Sequence, residues 1–141
     1  AQFTRGKGMF HAIEWIAPAE VADDDYPMYL TTGRVLYHYH TGTMTMKTDG
    51  LNERAPESFV EITRGDAQGM GIQDGDRVTI ASRRGEIQAR VRVSRKAVDG
   101  TVFIPFHFAQ AAANKLTNAA LDPISGIPEF KVCAVRLSKG A

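Results

Sequence analysis

The chain has 141 residues, 43% of them apolar and 23% charged, enough for one globular domain that buries roughly two-thirds of its unfolded surface. Seventeen Lys and Arg against sixteen Asp and Glu leave +1, so no broad basic field holds a nucleic-acid backbone, and any anion must bind at a local, shaped site. The single cysteine, Cys133, excludes an internal disulfide framework and a thiolate metal site, and favours a reducing, cytoplasmic compartment.

Residues 1–19 carry Phe3, Met9, Phe10, Ile13, Trp15 and Ile16 among Gly6, Gly8 and Pro18, an apolar but broken segment that needs another surface to lie on. No basic region precedes an apolar run there, so no signal peptide is visible. The chain starts at Ala1 without methionine and is expected to be a piece of something longer, with residues 1–25 a linker or the tail of a preceding domain and 26–141 the domain itself. Asp23-Asp24-Asp25 reads as a solvated hinge. Tyr29 to Tyr39 reads as a strand interrupted by Thr31-Thr32-Gly33-Arg34 and leading into a His- and Thr-rich loop. Residues 41–57 have no period, and so long an irregular stretch is usually functional or mobile.

From Phe59 the pattern becomes regular. Phe59, Val60 and Ile62 make a short strand, after which Thr63 caps a helix over Arg64–Met70 that Gly71 stops. Asp74-Gly75, Arg84-Gly85 and Asp99-Gly100 are turns between strands marked by Val78 and Ile80, by Ile87 to Val93, and by Val102 to Phe106. Ala109–Leu116 is a helix candidate, residues 118–129 a loop, and Val132–Leu137 the last strand. Short strands tied by tight turns at this spacing predict a small barrel rather than a doubly wound sheet. The longest nearly uncharged apolar run, Thr101–Ala113, is about thirteen residues, short of the ~20 that span a bilayer, so no membrane insertion is expected.

Three constellations could carry chemistry. In Thr31–Thr43, two glycines allow close backbone approach, hydroxyls and peptide N–H groups suit phosphate oxygens, and Arg34 offers a planar fork. His38 and His40 would share one strand face, but two imidazoles without a third ligand make a weak metal site, and a hairpin with hydrogen-bonded histidines fits equally. Pro105-Phe106-His107-Phe108 reads as core around one satisfied imidazole, and Asn114 to Asn118 as a helix end. Glu129-Phe130-Lys131-Val132-Cys133 is a strand entrance, with Cys133 a small buried hydrophobe. No phosphate-binding Gly-x-x-x-x-Gly-Lys-Ser/Thr or Gly-x-Ser-x-Gly motif is present, so no complete catalytic apparatus is expected.

Together these phrases, with Ile62-Thr63, Asp74-Gly75-Asp76-Arg77-Val78, Ser82-Arg83-Arg84-Gly85 and Asp122-Pro123, resemble the C-terminal domain of molybdenum and tungsten oxidoreductases of the dimethyl sulfoxide reductase family, with wording nearest to formate dehydrogenase catalytic subunits. The resemblance implies a mainly β fold, a six-stranded double-psi β-barrel with a few short helices. It implies a cofactor-binding domain for bis-molybdopterin guanine dinucleotide within a larger oxidoreductase, with Mo or W and any iron–sulfur cluster held by other domains. Thr32, Gly33, Arg34, His38, His40 and Thr41 are then expected against pterin and pyrophosphate, and Asn114, Phe130 and Lys131 on the pterin side. No residue matches that family's metal ligand, so the domain alone is expected to be inactive, its partners being the remaining domains of the subunit. The alternatives are the same domain from a nitrate reductase, a stand-alone small cofactor-binding subunit, or a cofactor-free recognition barrel.

Overall fold

A computed structural model describes residues 3–140; Ala1, Gln2 and Ala141 lie outside the described residues. Six strands are present: β1 (Met28–Gly33), β2 (Phe59–Ile62), β3 (Arg77–Ser82), β4 (Gly85–Val93), β5 (Thr101–Pro105) and β6 (Cys133–Lys139). They close in the order β1-β5-β2-β4-β3-β6, and β6 pairs with both β3 and β1, which leaves no free sheet edge. Alternation along each strand sends Leu30, Val60, Ile62, Val78, Ile80, Val102, Ile104 and Val135 into the interior, all fully buried. The expected six-stranded double-psi barrel is the architecture found.

Strand direction positions the site. β1 and β5 run parallel, with Gly33 opposite Pro105, so both strands end at the same rim. β6 is antiparallel to β1, with Leu30 opposite Cys133, so the residues leading into β6 arrive at that rim too. Residues 34–41, 106–116 and 130–132 therefore meet although they are far apart in sequence.

Some local expectations change. β1 stops at Gly33 and does not continue to Tyr39: its last ladder bond is from the Phe106 N–H to the Gly33 carbonyl at 3.2 Å, and the Val35 N–H beyond it goes to the His107 ring instead of to β5. His38 and His40 therefore do not share a strand face. Residues 41–57 are not structureless: they hold a 3₁₀ turn (Thr45–Lys47) and α1 (Asp49–Arg54), and neither buries a residue, which is why no apolar period was visible. The expected helix over 109–116 is two 3₁₀ turns, Ala109–Ala111 and Ala113–Lys115, broken by extended backbone at Ala112 (φ −66°, ψ 96°). That break buries both Ala111 and Ala113, which a continuous helix would place on nearly opposite faces. The helix after β2 forms as expected: α2 (Arg64–Gly69) is capped by Thr63, whose Oγ1 accepts from the Asp66 N–H at 3.1 Å.

The segment before β1 divides in two. Phe10, Ile13, Trp15 and Ile16 are almost wholly exposed, as their sequence suggested for residues lacking a second surface. From Ala19 onward the chain is tied to the barrel. The Asp23 carboxylate accepts from the Tyr26 N–H at 2.9 Å and pairs with Arg83, so Asp23 is anchored rather than merely solvated. The Arg83 guanidinium also lies over the Tyr26 ring, 4.6 Å from its centroid. No helix among the described residues is long and apolar enough to cross a membrane.

Candidate functional site

The three segments at the rim enclose a cleft of about 620 Å³ lined by Arg34, His40, Thr41, Phe106, Asn114, Phe130 and Lys131. Six of these were singled out from sequence, and Arg34 and Asn114 share one concave surface. The lining holds two cationic side chains, one imidazole, one amide, one hydroxyl and two phenyl rings, with no carboxylate. A site of that composition favours an extended, polar anion with flat portions.

Each cation is held in place. The Lys131 ammonium donates to the Thr32 carbonyl at 2.6 Å, while Thr32 Oγ1 donates to the Phe130 carbonyl at 2.7 Å, a reciprocal pair that ties the end of β1 to the entrance of β6. The same ammonium lies 5.0 Å from the Phe130 ring centroid and 5.7 Å from that of Phe106, within cation–π range, and keeps two N–H groups for a ligand. Arg34 Nη2 donates to His40 Nε2 at 3.3 Å, and the guanidinium lies 5.9 Å from the Tyr39 ring centroid. The Tyr39 ring meets His40 edge-on at 4.4 Å, which completes the stack.

Three sequence candidates stand behind the cleft rather than in it. Thr32 is buried and its hydroxyl is engaged by Phe130. Gly33 serves packing: a Cβ there would lie 2.5 Å from Phe103 Cε2, so the ring of Phe103 occupies the space that glycine leaves. His38 is buried, with Nε2 donating to the Ala55 carbonyl at 2.7 Å and Nδ1 accepting from Thr45 Oγ1 at 3.1 Å. It thereby fastens the 45–55 segment under the rim, and neither ring nitrogen is available to a ligand.

Two residues were missed as parts of the site. Phe106 lines the cleft, and its signal was its place just beyond the strand that pairs with Gly33. His107 is buried, as read, but it also shapes the rim. Its Nε2 accepts from the Val35 N–H at 2.9 Å and its Nδ1–H donates to the His40 carbonyl. Burial pushes its pKa below the ordinary imidazole value, and the nearby His38, Arg34 and His40 act the same way against the opposing His40 carbonyl bond. The neutral ring thus holds both ends of the Val35–His40 loop, including His40 itself at φ 48°, a left-handed conformation that costs a non-glycine residue of order 1 kcal/mol or more. Among the described residues no group of three metal-ligating side chains exists. Cys133 is fully buried with its thiol pushed up to about 11 by desolvation, unsuited to metal or nucleophilic work.

Residues 28–134 match the family described as the molydopterin dinucleotide binding domain. The chain belongs to that family. Over 134 residues it is 48% identical to the F420-dependent formate dehydrogenase subunit alpha of Methanocaldococcus jannaschii, a match covering 95% of this chain and 20% of that protein. It is 46% identical over 138 residues to a nitrate reductase of Symbiobacterium thermophilum, covering 95% of this chain and 18% of that one. The chain thus spans about a fifth of the length of these curated relatives. Acetylene hydratase from Pelobacter acetylenicus shares the fold, with a TM-score of 0.77 at 16% identity over 90% of this chain and 21% of that one. The cleft's cations, amide and phenyl walls, with no carboxylate among them, are compatible with the anionic dinucleotide that the family's description names.

Proposed function

We propose that this chain is the barrel that holds bis-molybdopterin guanine dinucleotide in the catalytic subunit of a cytoplasmic formate dehydrogenase. The observation that carries the reading is the convergence of Arg34, Lys131 and Asn114, from three separate chain segments, on one carboxylate-free cleft. In this reading Arg34, oriented by His40, holds the pyrophosphate, while Lys131, oriented by the Thr32 carbonyl, meets the pterin side. Asn114 and Thr41 meet polar edges of the cofactor, and Phe106 and Phe130 exclude water beside its rings. Thr32, Gly33 and His38 serve the site from behind, as packing and loop supports. When bound, the cofactor with its Mo or W supplies two-electron chemistry, formate giving carbon dioxide, a proton and two electrons. The metal's protein ligand and any iron–sulfur cluster belong to other domains of the subunit, which are this domain's partners. The domain supplies binding, orientation and electrostatics. Formate is preferred to nitrate on the 48% identity to a formate dehydrogenase alpha subunit against 46% to the nitrate reductase.

The test is Arg34→Ala in the complete protein. Molybdenum or tungsten and pterin per chain, measured after purification, should fall severalfold while the fold is retained. Unchanged content would defeat the assignment. Electron delivery to an acceptor from formate, with none to nitrate, checks the substrate.

A further inference from the structure

The Ser82-Arg83-Arg84-Gly85 turn between β3 and β4 contributes nothing to the cleft lining, yet it touches the element that carries Asn114. Arg84 donates from Nε at 3.0 Å and from Nη2 at 2.8 Å to the Leu116 carbonyl, the group that follows the Ala113–Lys115 turn. Cys133 Sγ reaches the same carbonyl at 3.4 Å. Backbones are close here, since a Cβ on Gly85 would stand 3.2 Å from the Lys115 carbonyl oxygen.

On its other side Arg84 is gripped by Glu20. Nη1 lies 2.7 Å from Oε2 and Nη2 3.2 Å from Oε1. The Glu20 carboxylate also accepts from Arg83 Nη1 at 2.8 Å and from the Ala134 N–H of β6 at 3.2 Å, with only 12% of its side chain exposed. An arginine fixed at both ends in this way transmits position, because its planar fork fits one geometry.

We propose that Arg84 is a positioning residue for the cofactor cleft: gripped by Glu20, it fixes the Leu116 carbonyl and thereby sets where Asn114 stands. The inference rests on the reading of Asn114 as a cofactor contact. It makes residues 20–26 a working part of the binding domain and not a linker, because the carboxylate that steadies Arg84 comes from there.

A double-mutant cycle in the complete protein tests this, reading the rate of cofactor loss as released pterin and metal, with thermal unfolding alongside. Asn114→Ala and Arg84→Gln should each accelerate loss about tenfold, and the double variant should lose cofactor no faster than Asn114→Ala alone. Arg84→Lys keeps a charge for Glu20 but lacks the fork that reaches Leu116, so it should behave as Arg84→Gln does; it also replaces that variant in the cycle should Arg84→Gln not fold. Multiplied rates in the double variant, or wild-type retention in Arg84→Lys, overturn the proposal while leaving the cleft assignment standing. Wild-type retention in Asn114→Ala overturns the cofactor reading of Asn114 and the proposal with it.

Discussion

Replacing His107 by Phe keeps the ring volume but removes both hydrogen bonds that hold the Val35–His40 loop. A typical buried hydrogen bond contributes about 1 kcal/mol net, and leaving a partner unsatisfied adds about 1 kcal/mol or more. Val35 is half-buried and stays poorly solvated, whereas the exposed His40 carbonyl regains water. The expected destabilisation is therefore about 2–3 kcal/mol, a fall of roughly 6–15 °C in Tm for a chain of this size. The same substitution has a pH signature. The folded pKa of His107 is lowered, so the unfolded chain takes up the proton first as pH falls below about 6.5. Its contribution is present above that pH and is lost progressively as pH falls towards the folded value, with a slope of at most about 1.4 kcal/mol per pH unit. Chemical denaturation from pH 8 to pH 5 should show this loss in the wild type and a flatter profile in His107→Phe. An equal acid slope in both proteins would refute the argument that His107 is a neutral clamp.

Gly33→Ala brings a methyl to 2.5 Å from Phe103 Cε2 and 3.1 Å from Cζ, and the ring is backed by Phe59 at 6.1 Å between centroids. It should cost about 1–2 kcal/mol in denaturant unfolding, with recovery on adding Phe103→Leu. The Cys133 thiol, buried and pushed up to about 11, should resist alkylation at pH 8 in the native protein and react fully once unfolded, as read by mass spectrometry.

The parts of the fold that were legible are those set by local chemistry. Thr63 announces its helix because its hydroxyl closes on Asp66 three residues away. Asp74-Gly75 and Asp99-Gly100 announce turns because both glycines adopt positive φ, 85° and 71°. Strand alternation marked the core from Val60 to Val93 for the same reason. What stayed hidden depends on pairing across long sequence separations. Nothing near Tyr37 indicates that β1 ends where Pro105 arrives, or that His40 is pulled into a left-handed turn by an imidazole sixty-seven residues later. His38 illustrates the limit at the site: its residue type and neighbourhood suited a ligand, but its ring is turned inward and both nitrogens are taken by Thr45 and Ala55, seven and seventeen residues away. Arg34, Asn114 and Lys131 could be marked as candidates by resemblance, whereas their meeting in one cleft follows from strand directions that only the folded barrel displays.

The most direct measurement is a crystal structure of the complete, cofactor-loaded protein. Pyrophosphate oxygens should lie within hydrogen-bond distance, about 3 Å, of Arg34, with Lys131 and Asn114 against the pterin side of the same cofactor. A dinucleotide seated on another face of the barrel, with solvent alone between Arg34 and Lys131, would contradict the account.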